Sequence, residues 1–521
     1  MSERPAFYIT TPIYYVNDVP HIGHAYTTLA CDVLARFKRL DGYDVMFLTG
    51  TDEHGQKVEK SAEKAGMPPQ DFCDKVSARF GELAKAMDFS NDRFIRTTET
   101  RHRVSVQQLW KVLEEKGFIY EDSYAGWYSV RDEAFYSEDE LSEGAGGDKL
   151  APSGATVEWV EEPSYFFRLS AMQDKLLALY ADQPEFVKPK SRLNEVRSFV
   201  SGGLQDLSIS RTSFSWGVPV PGADGHIMYV WIDALANYLT AVGYPDEGSD
   251  SYKTFWPADV HMIGKDILRF HAVYWPAFLL AADLPLPGRV FAHGWWTNEG
   301  QKISKSLGNV IDPFELIDSY GLDAVRFYLL REVPFGNDGD FSRTSFVQRC
   351  NADLANGIGN LNNRTLGLIV KNCDGAIPEP NEYSNEDNAL LLSSDVLLDE
   401  IRAHMDNQAF HKAFEIIWAQ ASAADSYISV QEPWKLKKTD PERMKTVLYV
   451  LAEVIRQLAI LIQPIMPNAA AKLLDGLGIT ADERSYAFLG ADHRLASGTA
   501  ISKPGVIFPR LEMPVAEGSI E

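Results

Sequence analysis

The stretch "TTPIYYVNDVPHIGHAYTTLACDVLARF", Thr10 to Phe37, decides the fold. A strand-like apolar start over Phe7–Ile9 runs into a turn rich in Pro, Asn and Asp. His21, Ile22, Gly23 and His24 then fall where a helix should begin, and Tyr26, Ala30, Val33, Leu34 and Phe37 recur at helical spacing. "FYIT" before the helix and "DVMFLTG" after it are short strand candidates. Strand, helix and strand in this order predict a βαβ unit, and so a parallel sheet. Ligands of such sheets meet the loops beyond the carboxyl ends of strands, and "TGTDEHGQK" is such a loop.

Outward from this unit the texture changes twice. From about Lys116 the chain turns aromatic and rich in turn residues ("GFIYEDSYAGWYSVRDEAFYSEDEL"), which predicts an insertion of short strands. Alternation of strands and helices returns near "IMYVWIDALANYL" and continues through "QKISKS". From about Asn351 apolar residues recur at helical spacing with few strand signals, which predicts an α-bundle. The last residues, 513–521, read as a frayed tail.

Composition narrows the function. With 45% hydrophobic and 24% charged residues, this is the profile of an ordinary globular chain. No apolar run is long enough to span a membrane, and the N-terminus carries no apolar signal segment, so a cytoplasmic protein is expected. Cys31, Cys73, Cys350 and Cys373 are scattered without a Cys-x-x-Cys pair, which fits reduced thiols. A net charge of −23 argues against general nucleic-acid binding, though a specific RNA can still be held on a local basic face.

Two segments carry chemistry. A helix N-terminus presents unpaired N–H groups and a partial positive charge, so the turn His21–His24 suits phosphate. Gly23 lets a bulky ligand approach the backbone, and each imidazole can donate a hydrogen bond to a phosphate oxygen. In "QKISKSLGNV", Lys302 and Lys305 flank Ser304 on a Ser/Gly loop, which suits a leaving group that gathers negative charge, such as pyrophosphate.

With these residues the chain resembles the class I aminoacyl-tRNA synthetases, whose signatures are a His-Ile-Gly-His-type turn and a Lys-Met-Ser-Lys-Ser-type loop. The resemblance is strongest to the methionyl members and covers nearly the whole chain, through "TTPIYYVNDVPHIGHAYTT", "TGTDEHGQK", "YVWIDALANYL" and "IGKDILRFHAVYWPA". It implies an α/β fold: a Rossmann-like catalytic domain in two halves (1–115 and 226–325), a β-rich connective insertion (116–225), a linking segment (326–350) and an all-α anticodon-binding bundle (351–512). It also implies a two-step reaction. Methionine and ATP give methionyl-adenylate, and the methionyl group then passes to the 3′ end of tRNA(Met), initiator tRNA included.

Residue by residue, the resemblance assigns catalysis to His21, His24, Lys302 and Lys305. It places ATP on His21, Gly23, His24, Asp266, Lys302, Ser304 and Lys305, with Mg²⁺ bridging the phosphates. Ile13, Tyr15, Trp231, Tyr238, Ile267 and His271 match the family's methionine pocket, and Asp52 would pair with the ammonium. Trp231 and Tyr15 also fall at strand ends, while Tyr274 and Trp275 read as core. Asn360, Arg364 and Trp434 match anticodon positions. Asn360 and Arg364 sit one helical turn apart, and Trp434 offers an indole for stacking near Lys435, Lys437 and Lys438.

The insertion departs from relatives that bind zinc there. Ser129 and Asp132 stand where cysteines would be, so no structural zinc is expected, and Trp127, Tyr128, Phe135, Tyr136 and Trp159 should hold the insertion instead. A monomer is expected. The competing functions are a class I synthetase for cysteine or leucine, a small-molecule nucleotidyltransferase, and a non-catalytic RNA-binding relative.

Overall fold

The computed structural model describes residues 4–17, 19–132, 134–144, 147–303, 308–502 and 505–513. The chain divides into two compact units, one of Ala6–Pro20 with Met46–His293, the other of Met1–Pro5 with His21–Val45 and Gly294–Glu521.

The first unit is built on a seven-stranded sheet. Its order runs Val187–Lys188, Val290–His293, Val260–Gly264, Ala6–Thr10, Asp44–Asp52 and Tyr14–Tyr15, with Arg93–Arg96 also pairing to Asp44–Asp52. Ala6–Thr10 runs parallel to Val260–Gly264, with Thr10 opposite His261, and Tyr14–Tyr15 runs parallel to Thr51–Asp52. From Val45 onward, Asp44–Asp52 is buried at every position, as expected of a strand covered on both faces. Gly50 is required there, because a Cβ would lie 2.1 Å from the Ile95 carbonyl oxygen of the neighbouring strand. Chain order reverses at Ala6–Thr10. This is a topological switch point, where open α/β sheets bind ligands beyond the strand ends.

The insertion is an antiparallel sheet in which Ile119–Ser129 pairs with Glu158–Phe167 and with Ala134–Tyr136. Its fourth strand, Leu207–Ser208, pairs antiparallel with Phe166–Phe167, but the chain between Glu158–Phe167 and this strand visits the main sheet. Helices Gln173–Asp182 and Lys190–Ser201 lie on that excursion, and between them Val187–Lys188 joins the main parallel sheet beside Val290–Phe291.

The second unit holds the helical C-terminal part, together with helix Ile22–Leu40, which sequence order had placed with the sheet. Helix Pro441–Ile462 is buried all round from Thr446 onward, the mark of a central helix. Arg326 and Asp32, both fully buried, join through a 2.6 Å ion pair, and the same guanidinium donates to the carbonyls of Ile465 and Pro464. Removing either partner of such a pair costs about 3–5 kcal/mol. Further along Ile22–Leu40, Lys38 pairs with Asp406, and Arg402 reaches Asp41 just beyond it. The histidine-bearing helix is thus fastened into the bundle along its length.

Candidate functional site

Helix Ile22–Leu40 begins with an unusual cap. The His21 side chain accepts from the Gly23 N–H through Nδ1 at 3.1 Å, and the His24 Nδ1 accepts from the His21 N–H at 3.1 Å. This is the reciprocal logic of a capping box with imidazoles in place of Ser and Glu. Because both Nδ1 atoms accept, both rings carry their proton on Nε2 and are hydrogen-bond donors there. Burial, then the charge of His21, pushes the His24 pKa well below its ordinary value, so His24 is neutral. The rings stack at 3.9 Å. A Cβ on Gly23 would sit 3.0 Å from His21 Cε1 and 3.2 Å from Nδ1, so the cap itself calls for glycine. The first turn itself carries no acidic residue.

The lysine loop springs from a hairpin in the same unit. Trp296–Asn298 and Gln301–Lys302 pair antiparallel across Glu299 and Gly300, whose φ angles of 48° and 75° suit a type I′ turn. Asn309 donates to the Lys302 carbonyl at 3.0 Å, and Asn298 donates to the Asn309 carbonyl at 2.9 Å, closing the base of the loop. Two residues on, the Ile311 carbonyl accepts from the Ile22 N–H at 3.2 Å. Tyr26 packs edge-on to Trp296 at 5.5 Å. Lysine loop and histidine turn are therefore hydrogen-bonded neighbours. Ser304 and Lys305 lie outside the described residues, and Lys302 is exposed at the loop's entry.

In the sheet unit, the expected methionine residues gather at the switch point. Tyr15 stands opposite Asp52 in the parallel ladder, and its hydroxyl donates to the His54 carbonyl at 2.8 Å. Ile13, Tyr15, Trp231 and Ile267 are partly buried against one core that includes Tyr238. Asp266, exposed on the turn Lys265–Ile267, follows the carboxyl end of Val260–Gly264. The His271 ring can be oriented. Its Nδ1 donates to the Ile267 carbonyl at 3.0 Å, so Nε2 accepts from the Tyr238 hydroxyl at 2.7 Å. Burial lowers its pKa to about 4, which keeps it neutral. Trp231 stacks on Phe270 at 3.7 Å. Beneath Tyr238, His261 stacks at 4.1 Å, accepts from Trp275 Nε1 at 3.2 Å and donates to Thr10 at 2.7 Å. Trp275 is fully buried, as expected of core.

Nothing in the spacing of residues predicts the buried chain beside this pocket. Asp233 receives His54 Nδ1 at 2.6 Å and His102 Nε2 at 2.8 Å. Burial opposes the charge on Asp233, but the two imidazoles outweigh it and hold the carboxyl below the usual carboxylate range.

In the helical unit, Asn360 and Arg364 open helix Asn360–Asn372, with Asn360 exposed. Arg364 lies over the Trp434 indole at 5.3 Å and pairs with Asp425 at 3.1 Å. Trp434 is 36% exposed, so it is a surface indole and not a core one. Two distant parts of the sequence thus meet where Arg364 lies over Trp434, with Asn360 one turn from Arg364 and Lys437 and Lys438 exposed in the last turn of Pro433–Thr439.

The family model for class I tRNA synthetases (M) matches residues 7–366, and the anticodon binding domain of methionyl tRNA ligase matches 377–517. The chain belongs to the methionyl class I tRNA synthetases. It is similar to the methionine–tRNA ligases of Mesorhizobium japonicum (56% identical, covering 99% of each chain) and Rhizobium meliloti (55% identical, 99% of this chain and all of that one). Among solved structures, Mycobacterium tuberculosis methionyl-tRNA synthetase in complex with methionyl-adenylate is similar with a TM-score of 0.95 and 52% identity, over 97% of this chain and all of that one.

Ser129, fully buried, donates to Asp132 Oδ2 at 3.0 Å, and Tyr136 donates to the same oxygen at 3.2 Å. Ser153 also donates to it, while Arg131 reaches the Ser153 carbonyl at 2.6 Å. One carboxylate ringed by hydroxyls that spend their hydrogens on it does not fit zinc, which needs thiolates or imidazoles for a closed structural site. Of the aromatics expected to hold the insertion, Tyr128 is buried and Trp127 and Tyr136 are partly buried. Trp127 meets Trp159 edge-on at 5.3 Å, but Trp159 is 55% exposed; the Phe135 side chain lies outside what is described.

Proposed function

We propose that this methionine–tRNA ligase divides its work among the residues as follows. His21 and His24 donate through Nε2 to the phosphates of ATP at the positive end of helix Ile22–Leu40, while Gly23 admits the adenine ring. Lys302, Ser304 and Lys305 close over the departing pyrophosphate, and Asp266 holds the ribose. Mg²⁺ arrives with ATP, since it takes most of its oxygens from phosphates and water when bound this way. Asp52 pairs with the substrate ammonium, and Ile13, Tyr15, Trp231, Tyr238, Ile267 and His271 receive the thioether side chain.

The methionine carboxylate attacks the α-phosphorus, pyrophosphate leaves, and the 3′-terminal ribose hydroxyl of tRNA(Met) then displaces AMP from the methionyl carbonyl. Rate comes from positioning and from charge stabilisation by donors fixed in advance, because little covalent work falls to the protein. The observation that carries this is the pair of Nε2–H tautomers, locked by the cap and hydrogen-bonded to the base of the lysine loop.

The patch of Asn360, Arg364 and Trp434 is proposed to read the CAU anticodon of elongator and initiator tRNA by stacking and base-edge hydrogen bonds. The insertion holds no zinc in this proposal. No described helix is long and apolar enough to cross a membrane, and we place the enzyme in the cytoplasm as a monomer. The test is methionine-dependent ATP–pyrophosphate exchange by His24→Ala. Loss of one such donor should lower exchange about 10²–10³-fold. Exchange unchanged by the substitution would refute the assignment.

A further inference from the structure

His54 is 1% exposed, and its Nε2 has no hydrogen-bond partner among the described residues. A buried polar atom without a partner is costly enough that it calls for a reason. Its other nitrogen is committed. Asp233 is an ionised acceptor, so His54 Nδ1 donates to it, and in the Nδ1–H tautomer Nε2 carries the ring's lone pair. Asp233 is itself pinned from behind by His102, whose far nitrogen meets Thr240 Oγ1 at 3.1 Å. The tautomer is set by a relay three residues deep, as a third group orients the imidazole in many active sites.

Neighbouring contacts locate this nitrogen. Thr51 Oγ1 donates to Glu53 at 2.8 Å, and Arg96 holds Glu53 at 2.6 Å, so residues 51 and 53 share one face. Asp52 closes the strand Asp44–Asp52, and His54 follows it by two residues. Tyr15, the ladder partner of Asp52, donates its hydroxyl to the His54 carbonyl at 2.8 Å. The unsatisfied nitrogen therefore belongs to a residue that touches Tyr15 and lies two positions from Asp52, both assigned to the amino acid.

We propose that His54 is a further amino-acid-binding residue: its Nε2 accepts, directly or through one ordered water, a hydrogen bond from the substrate ammonium. This rests on the methionine assignment of the pocket. Asp52 supplies charge to that ammonium, and His54 supplies a directional acceptor whose orientation Asp233 and His102 maintain.

The test pairs a protein change with a ligand change. L-Methionine and 4-(methylthio)butanoate, which keeps the thioether and carboxylate but has no ammonium, are titrated by calorimetry into the full chain, His54→Asn and His54→Ala. Asparagine can keep the hydrogen bond to Asp233 while removing the Nε2 acceptor, so it retains the fold if alanine does not. Methionine affinity should fall about tenfold or more in His54→Asn, the cost of a hydrogen bond to a charged group. Affinity for the analogue should stay within about twofold. An equal loss for both ligands would make His54 merely structural, and no loss for either would also overturn the proposal. Failure of the parent chain to bind methionine would instead refute the assignment of the pocket.

Discussion

Gly23→Ala separates what the cap does for folding from what it does for chemistry. Alanine is up to about 1 kcal/mol better than glycine inside a helix. Against that stands the Cβ, 3.0 Å from His21 Cε1 and 3.2 Å from Nδ1, tight enough that the ring must yield. His21 cannot swing away without losing its bond from the Gly23 N–H and its 3.9 Å stack on His24. A lost cap costs about 1 kcal/mol, so the two stability effects nearly cancel. Catalysis has no such offset. Moving the two Nε2–H donors away from where phosphate charge develops should lower exchange about 10²–10³-fold, close to 3–4 kcal/mol of transition-state stabilisation. The assay is methionine-dependent ATP–pyrophosphate exchange, with thermal unfolding on the same preparation. Exchange within threefold of the parent would refute the argument that the glycine protects the geometry of the histidines. A collapse in unfolding temperature would show that the glycine serves the fold.

Trp434→Ala should cut tRNA charging by the worth of one stacked base, about 1–3 kcal/mol, while leaving exchange unchanged; equal loss in both assays would make the indole structural. His271 adds a pH dependence. Above about pH 6.5 it is neutral folded and unfolded and contributes nothing. Between 6.5 and about 4 the unfolded chain binds a proton that the folded chain refuses, so stability falls as pH falls, by up to about 3 kcal/mol. His24 and His261, also pushed down by burial, act in the same direction. Denaturant unfolding of His271→Gln across this range should show a shallower decline than the parent. Asp132→Ala strips the acceptor from Ser129, Ser153 and Tyr136, and should raise hydrogen exchange in the insertion by about 1–3 kcal/mol of lost local stability. Metal analysis of the parent should find no stoichiometric zinc.

What the sequence could reveal followed the range of the interactions. The histidine cap is legible because every partner lies within three residues, and the helix start and Gly23 both belong to one short motif. The parallel sheet is legible from alternation. The excursion of Val187–Lys188 into that sheet is not, because the strand is only two residues long and its place depends on Val290–Phe291 about a hundred residues later. His54, Asp233 and His102 were hidden for the same reason: their separations of 179 and 131 residues leave no local pattern. The "TDEHG" string held the one clue, a histidine two positions after Asp52 at a strand end. Trp434 shows the reverse error that apolarity alone invites, since its position after Pro433 suits core or surface equally until Arg364 is seen lying over it.

The account stands most directly on amino-acid selection. ATP–pyrophosphate exchange measured with each of the twenty amino acids at equal concentration should give strong activity with L-methionine and little with any other. A chain that exchanged best with cysteine or leucine, or not at all with methionine, would contradict it.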